Sequence, residues 1–200
     1  MSRIFLLRHA HSIANAKGIL AGRMENIPLS KEGQLQQNLL LERLSGMKFD
    51  RVLSSPMQRC LETLRGFADA PTIVEDFQEV HYGDWTGKRT SSLMRNSAWR
   101  EIHKHPASVR FPNGETLPEV QTRSLAGLDR LLNKRDKNVL ISTHADVVKV
   151  LVLHALGTHL NNIDKLAIDN ASLTIIDKVG NDFKVIRVND TNTAARELAK

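Results

Sequence analysis

In the stretch LLRHAHS, an apolar run ends in an arginine and two histidines, Arg8, His9 and His11, within four positions. Two chemistries use such a cluster. His9 and His11 on one strand face could hold a metal ion. Alternatively, Arg8 holds a phosphate while a histidine attacks it as nucleophile. A solvated polar strand end is the ordinary alternative, so the choice rests on what the rest of the chain can bring to the same place. Arg59 in SSPMQRC and His144 in STHAD are the complementary residues. Arg59 falls in the first turn of an expected helix, where the macrodipole disfavours a cation unless an anion is close. His144 stands where a strand passes into a helix, beside backbone N–H groups suited to an oxyanion.

This set suits phosphoryl transfer. The transferring group spreads negative charge over three oxygens, so catalysis is largely positioning and electrostatic stabilisation. Two arginines and a protonated histidine would supply that charge, and a second, neutral histidine in line could attack phosphorus. The leaving alkoxide needs an acid, and EDFQEVHYGDWTG offers Glu75, Asp76, Glu79 and Asp84, which spacing alone does not separate. The metal reading is weaker. Barrel hydrolases with His-x-His on a strand typically need about 250 residues, this chain lacks a fitting set of further ligands, and the two arginines would repel a cation.

These residues require elements that bring distant strand ends together. Short apolar runs of strand type lie at 3–8, 51–54, 72–75, 138–143, 173–179 and 184–188. Several are apolar on consecutive residues, as in strands covered on both faces. Helical patterns lie between them. Ser30 can N-cap a segment carrying Leu35, Leu39, Leu40, Leu44 and Met47, with Gly46 near its end. Ser55 can cap a second helix with Pro56 in its first position, and Met57, Cys60, Leu61, Leu64 and Ala68 along one face. Thr116 and Glu119 form a capping box, and an apolar helix over 145–156 stops at Gly157. The alternation predicts an α/β fold: a three-layer α/β/α sandwich with a mostly parallel central sheet, its ligand site outside the carboxyl ends of the strands. A polar, proline-containing stretch over 86–114 is expected as a loop or small helical insertion above that edge. The tail TNTAARELAK is expected as a frayed end or short surface helix.

Composition narrows the classes. At 200 residues the chain suits one domain with a substantial core, since a chain of that size buries roughly 70% of its unfolded surface. Hydrophobic residues at 41% and charged residues at 25% are ordinary for a soluble protein. No apolar run approaches the ~20 residues that span a bilayer. RIFLL is too short for a signal peptide, so a cytoplasmic location is expected. The single Cys60 cannot form an internal disulfide and is compatible with a reducing compartment. A net charge of +6 favours an anionic partner. The basic residues are scattered without interleaved aromatics, which points to a small phosphorylated substrate rather than nucleic acid. A homodimer is left open.

Taken in order, the motifs resemble those of the histidine phosphatase superfamily, the phosphoglycerate mutase-like proteins. LLRHAHSIAN is similar to its Arg-His-Gly signature, with Ala10 for the usual glycine. AGRMENIPLSKEG follows, with one extra residue before PLS. SSPMQRCLET resembles the helix carrying the second arginine, and EVHYGDWTG the segment with the acid. PNGETLPEV, ISTHADVVKVLVLHALG, with Ala145 for the usual glycine, and DNASLTIID complete the set. The resemblance implies that His9 is the nucleophile, that Arg8, Arg59 and His144 hold the phosphoryl oxygens, and that Glu79 is the acid. It also implies substrate contacts for Asn15, Ser12, Gly22, Tyr82 and Ala145. His11 occupies a variable site and is given no chemistry. The family needs neither metal nor organic cofactor as a phosphatase.

Two activities share such a site. A phosphatase passes the phosphoryl group to water, whereas a cofactor-dependent phosphoglycerate mutase returns it to substrate with 2,3-bisphosphoglycerate as primer. HYG echoes the mutases. The long insertion with paired arginines is not evident, however, and Arg89, Arg95, Arg100 and Arg110 stand unpaired in the sequence, so phosphate monoester hydrolysis is the expectation. The substrate is not readable. Trp85 and Trp99 are expected as core or covering residues, with packing on an apolar part of the substrate as the alternative.

Overall fold

The computed structural model describes residues 1–132, 135–180 and 182–198, the side chain of residue 196 excepted. Six strands form one sheet: β1 (Ser2–Arg8), β2 (Arg51–Ser54), β3 (Thr72–Ile73), β4 (Asn138–Thr143), β5 (Leu173–Val179) and β6 (Asp182–Asp190), in the order β3-β2-β4-β1-β5-β6. β3, β2, β4 and β1 are mutually parallel, β5 runs antiparallel to β1, and β6 antiparallel to β5. Helices flank both faces, giving the mostly parallel α/β/α sandwich that the pattern of runs predicts.

Consecutive apolar residues in the central strands have a direct cause. Successive side chains of a strand point to opposite faces, and both faces here are covered. In β1, Ile4 and Leu6 join one core while Phe5 and Leu7 join the other; Val139 and Ile141 part from Leu140 in the same way on β4. On the first face lie α6 (Leu117–Leu131) and α7 (Ala145–Ala155), burying Val120, Leu128, Val147 and Leu151. On the second lie α2 (Lys31–Arg43) and α3 (Gln58–Thr63), with Leu40, Leu44 and Leu64 buried there. A short first helix, α1 (Ile13–Ala16), follows β1 directly.

Several local expectations are corrected. β3 stops at Ile73 because Glu75–Phe77 turn as a 3-10 helix, while β6 reaches beyond 184–188 at both ends. Leu35 and Leu39 of α2 are exposed; that helix turns Gly33, Gln37 and Leu40 inward instead. Ser55 does not cap α3, which starts only at Gln58 with Met57 in the cap position; the Ser55 hydroxyl accepts Met57 N–H at 3.4 Å and meets His144 Nε2 at 2.8 Å. The helical face expected from Met57 to Ala68 is cut short at Thr63. In the tail, α8 (Ala195–Leu198) is no surface feature: Leu198 is buried in the second core, and its carbonyl accepts from Arg3 Nη1 at 3.4 Å. The stretch 86–114 folds as α4 (Thr90–Leu93) and α5 (Ser97–Lys104), with Leu93 and Ile102 in the first core.

Candidate active site

Sheet register brings the chemistry together. Arg8 lies opposite Thr143, and Ser54 opposite Ser142. The next residues leave the sheet together at this edge: His9 and His144 side by side, and Ser55 one residue short of them. Two bonds tie them there: His9 N–H donates to Thr143 O at 2.9 Å and Ser55 N–H to Ser142 O at 2.9 Å. This is the carboxyl edge of the parallel strands, where α/β sheets place ligands.

His9 is buried, and its Nδ1 lies 2.8 Å from the carbonyl oxygen of Ala10. A carbonyl only accepts, so Nδ1 carries the proton and Nε2 keeps its lone pair. Burial, then Arg59 and Arg8, hold the ring well below its ordinary value of 6.5. The following turn is fixed by Ala10 N–H donating to Thr63 Oγ1 at 2.9 Å and by Asn170 Nδ2 donating to His9 O at 3.0 Å.

His144 is wholly buried, its ring centroid 5.3 Å from that of His9. Its Nε2 lies 2.8 Å from Ser55 Oγ, while Nδ1 accepts from Arg59 Nη2 at 3.2 Å and sits 3.7 Å from Glu79 Oε2. Burial and Arg59 lower its pKa well below 6.5. The imidazole is therefore neutral in these surroundings, which corrects the protonated histidine expected from the sequence.

The second arginine is buried to 1% exposure, although guanidinium groups are almost never fully buried unpaired. Arg59 Nη2 also donates to Gly22 O at 2.7 Å. Its Nη1, like Arg8 Nε, has no hydrogen-bond partner among the described residues. Arg8 is steadied by a bond from Nη1 to Ile168 O. Two guanidinium groups with unsatisfied buried N–H donors are suited to an oxyanion, which satisfies them and offsets the desolvation of both charges. Gly22 must be glycine to present that carbonyl. Its φ is +49°, and a Cβ would meet Tyr82 Cδ2 at 3.0 Å and Thr86 Oγ1 at 3.1 Å.

Of the four carboxylates that spacing leaves open, Glu79 alone lines the cavity next to His9. Glu75 is exposed, Asp76 pairs with Arg130, and Asp84 accepts from Asn113 Nδ2 at 3.0 Å. Glu79 Oε1 accepts from Val80 N–H at 2.9 Å. Burial, and then Asp146, push its carboxyl up to about 7 against the pull of the arginines. Its backbone is clamped: Glu79 O accepts from Arg23 Nε at 3.0 Å and Arg123 Nη2 at 3.2 Å, and both arginines pair with Glu115.

Asp146 is the residue that sequence reasoning missed. It lines the cavity and accepts from Tyr82 Oη at 2.6 Å. Its signal was present in STHAD, as a carboxylate in the first turn of α7 immediately after Ala145. Ser12 and Asn15 form a capping box around α1, with Asn15 Oδ1 accepting from Ser12 N at 2.9 Å and Ser12 Oγ at 2.8 Å. The Asn15 amide nitrogen is thus the group it can turn toward an anion. Every residue that the resemblance assigns to the site lines one cavity of about 230 Å³ except His144, whose ring stands edge-on to His9. His11 is turned away, its Nδ1 2.8 Å from Ser30 Oγ. Among the described residues no group of three or more His, Cys, Asp or Glu side chains is placed to hold a metal ion.

This arrangement can bind a phosphoryl group, present it to a neutral imidazole nitrogen and donate a proton from a carboxyl titrating near neutrality. Comparison with known proteins agrees. The sequence is 28% identical to phosphoserine phosphatase 1 of Hydrogenobacter thermophilus, covering 96% of this chain and 93% of that protein. It is 25% identical to the adenosylcobalamin/alpha-ribazole phosphatase of Escherichia coli over 98% of this chain and all of that one. Among solved structures, Bacillus stearothermophilus YhfR superposes with a TM-score of 0.85 at 27% identity, covering 95% of this chain and 98% of its own. The family description "Histidine phosphatase superfamily (branch 1)" matches residues 4–191, and the chain belongs to that superfamily.

Proposed function

We propose that the chain is a phosphomonoesterase working through a phosphohistidine on His9. Nε2 attacks phosphorus, the bond to the leaving oxygen breaks, and Glu79 passes its proton to that oxygen. Water then attacks the phosphohistidine, giving a proton to the Glu79 carboxylate as the P–N bond breaks and inorganic phosphate departs. Arg8 and Arg59 take the charge of the phosphoryl oxygens, with Asn15 beside them. The observation that carries this reading is the lone-pair nitrogen of His9 sharing one cavity with two unsatisfied guanidinium groups and a raised carboxyl.

Hydrolysis is favoured over mutase activity because the arginines that could hold a second acidic group lie elsewhere. Arg110 pairs with Glu119, Arg89 donates to Lys17 O, and neither these nor Arg95 or Arg100 line the cavity. The substrate is a small phosphorylated molecule, and no metal or organic cofactor is required. The same reading takes the chain as one domain with 86–114 over the site. It is taken as cytoplasmic, in keeping with the buried free thiol of Cys60; no helix among the described residues is long and apolar enough to cross a membrane.

The test is a hydrolysis screen over phosphorylated metabolites together with trapping of the phosphoenzyme. Wild type should release inorganic phosphate and carry an acid-labile, base-stable label. His9→Ala should lose the label and roughly 10³-fold or more of turnover. Undiminished turnover by His9→Ala sinks the reading, as does vigorous 2,3-bisphosphoglycerate-dependent interconversion of phosphoglycerates.

A further inference from the structure

Beside the catalytic cavity lies a second one of about 140 Å³ that shares Leu20, Tyr82 and Asp146 with it. Much of its wall is apolar, from Trp99, Ile102, Phe111, Leu117 and Ile163, and ionisable side chains complete it. The rings brace one another, with Phe111 edge-on to Tyr82 at 4.9 Å and to Trp85 at 5.7 Å, and Trp99 tilted on Trp85 at 5.4 Å. Trp85 is buried behind this wall, whereas Trp99 is half-buried and presents its indole to the cavity.

The ionisable side chains that also line it contact one another. Lys149 Nζ stands 3.8 Å from Asp146 Oδ1, His103 Nδ1 stands 2.7 Å from Asp164 Oδ2, and the Tyr82 hydroxyl donates a hydrogen bond to Asp146. A carboxylate arriving here would face Asp146 and Asp164, and an ammonium would face Lys149, so a charge of either sign meets a like charge on the lining. An uncharged ring displaces only water and gains apolar burial together with edge or face contacts to the aromatic wall.

We infer that this side cavity is a leaving-group subsite, and that the substrate is a phosphomonoester whose alcohol half carries an uncharged, flat apolar ring. The inference rests on the phosphatase reading and adds to it the chemistry of the part that departs. It also gives the stretch 86–114 a role: α5 supplies Trp99 and Ile102 to one wall, so the helix positions the specificity surface over the phosphate-binding edge.

Three substrates with primary alkoxide leaving groups isolate the effect: 2-phenylethyl phosphate, ethyl phosphate and O-phospho-L-serine. Wild type should show a kcat/KM for 2-phenylethyl phosphate at least about 10-fold above the other two, expressed mainly in KM, since even one methylene in an apolar pocket is worth roughly 10-fold or more. Trp99→Ala should bring the ratio of 2-phenylethyl to ethyl phosphate down toward one. As a readout free of turnover and of that variant's folding, His9→Ala should bind 2-phenylethyl phosphate at least about 10-fold more tightly than ethyl phosphate by calorimetry. Equal or better use of ethyl phosphate or phosphoserine overturns the subsite while leaving the phosphatase intact. Failure to hydrolyse any of the three, with no label on His9, overturns the phosphatase and the subsite together.

Discussion

The hydroxyl of Ser55 meets Nε2 of His144 at 2.8 Å, joining the ends of β2 and β4 across the floor of the site. Because Nδ1 of the same ring accepts from Arg59, Nε2 carries the proton and donates to the hydroxyl oxygen, which sets the tautomer. Removing it in Ser55→Ala leaves a buried N–H without its acceptor. Stability should fall by about 1–3 kcal/mol, and kcat roughly 10-fold as the ring loosens. Thermal melts and steady-state kinetics on the same preparation check both.

Arg59 stores a charge in the core that only an oxyanion fully satisfies. Inorganic phosphate should therefore raise the melting temperature of wild type, by about 2.7 kcal/mol of stability at a concentration of 100 Kd. Arg59→Met should lose most of that response and roughly 10³-fold in kcat/KM. Melts with and without phosphate read the first effect, and hydrolysis assays the second.

The pH dependence follows from two opposed shifts. Neutral His9 is present above a pKa depressed well below 6.5, and protonated Glu79 is present below about 7. For an alkyl phosphate, kcat/KM should be high over the mildly acidic range and fall as pH rises through about 7. Glu79→Gln should lower the rate and remove the alkaline fall.

Stability should respond to the same groups. His9 and His144 have folded pKa values below the ordinary 6.5, so the unfolded chain binds more protons there and stability declines as pH drops below 6.5. Glu79 is raised from 4.5 to about 7, so its contribution is present below 4.5 and lost as pH rises through about 7. Melting Glu79→Gln beside wild type across pH 4 to 8 isolates that loss.

Adjacent leucines on α2 should behave differently. Leu40 is 2% exposed in the second core and Leu39 63% exposed. Leu40→Ala should cost about 2–5 kcal/mol, and Leu39→Ala within about 0.5 kcal/mol of zero. Urea titrations would separate them.

The elements were legible where one local rule decided them. Consecutive apolar runs marked strands buried on both sides, and the capping box of Thr116 and Glu119 opens α6 as its spacing implies. Reading failed where a side chain had a long-range alternative to its local role. Ser55 has a good capping residue's chemistry, yet its closest bond is to distant His144 and α3 opens only at Gln58. Leu35 and Leu39 fit an apolar pattern, yet α2 is rotated by Gly33, where a Cβ would stand 1.9 Å from His11 O and so only glycine lets the chains approach. Leu198 looked like a frayed tail and is core, since nothing local records that the chain returns to β1.

By itself, then, the sequence determined the strand and helix order and placed Arg8, Arg59 and His144 at strand and helix ends, because periodicity, caps and turn residues act within a few positions. Spacing left Glu79 level with Glu75, Asp76 and Asp84, and only the family resemblance singled it out; tertiary structure set it alone of the four in the cavity, joined Asp146 to Tyr82, left His144 neutral and set an aromatic cavity beside the phosphate edge. Those outcomes depend on which distant segments share one buried volume. Desolvation and charge pairing there are properties of the assembled space, and spacing along the chain does not encode them.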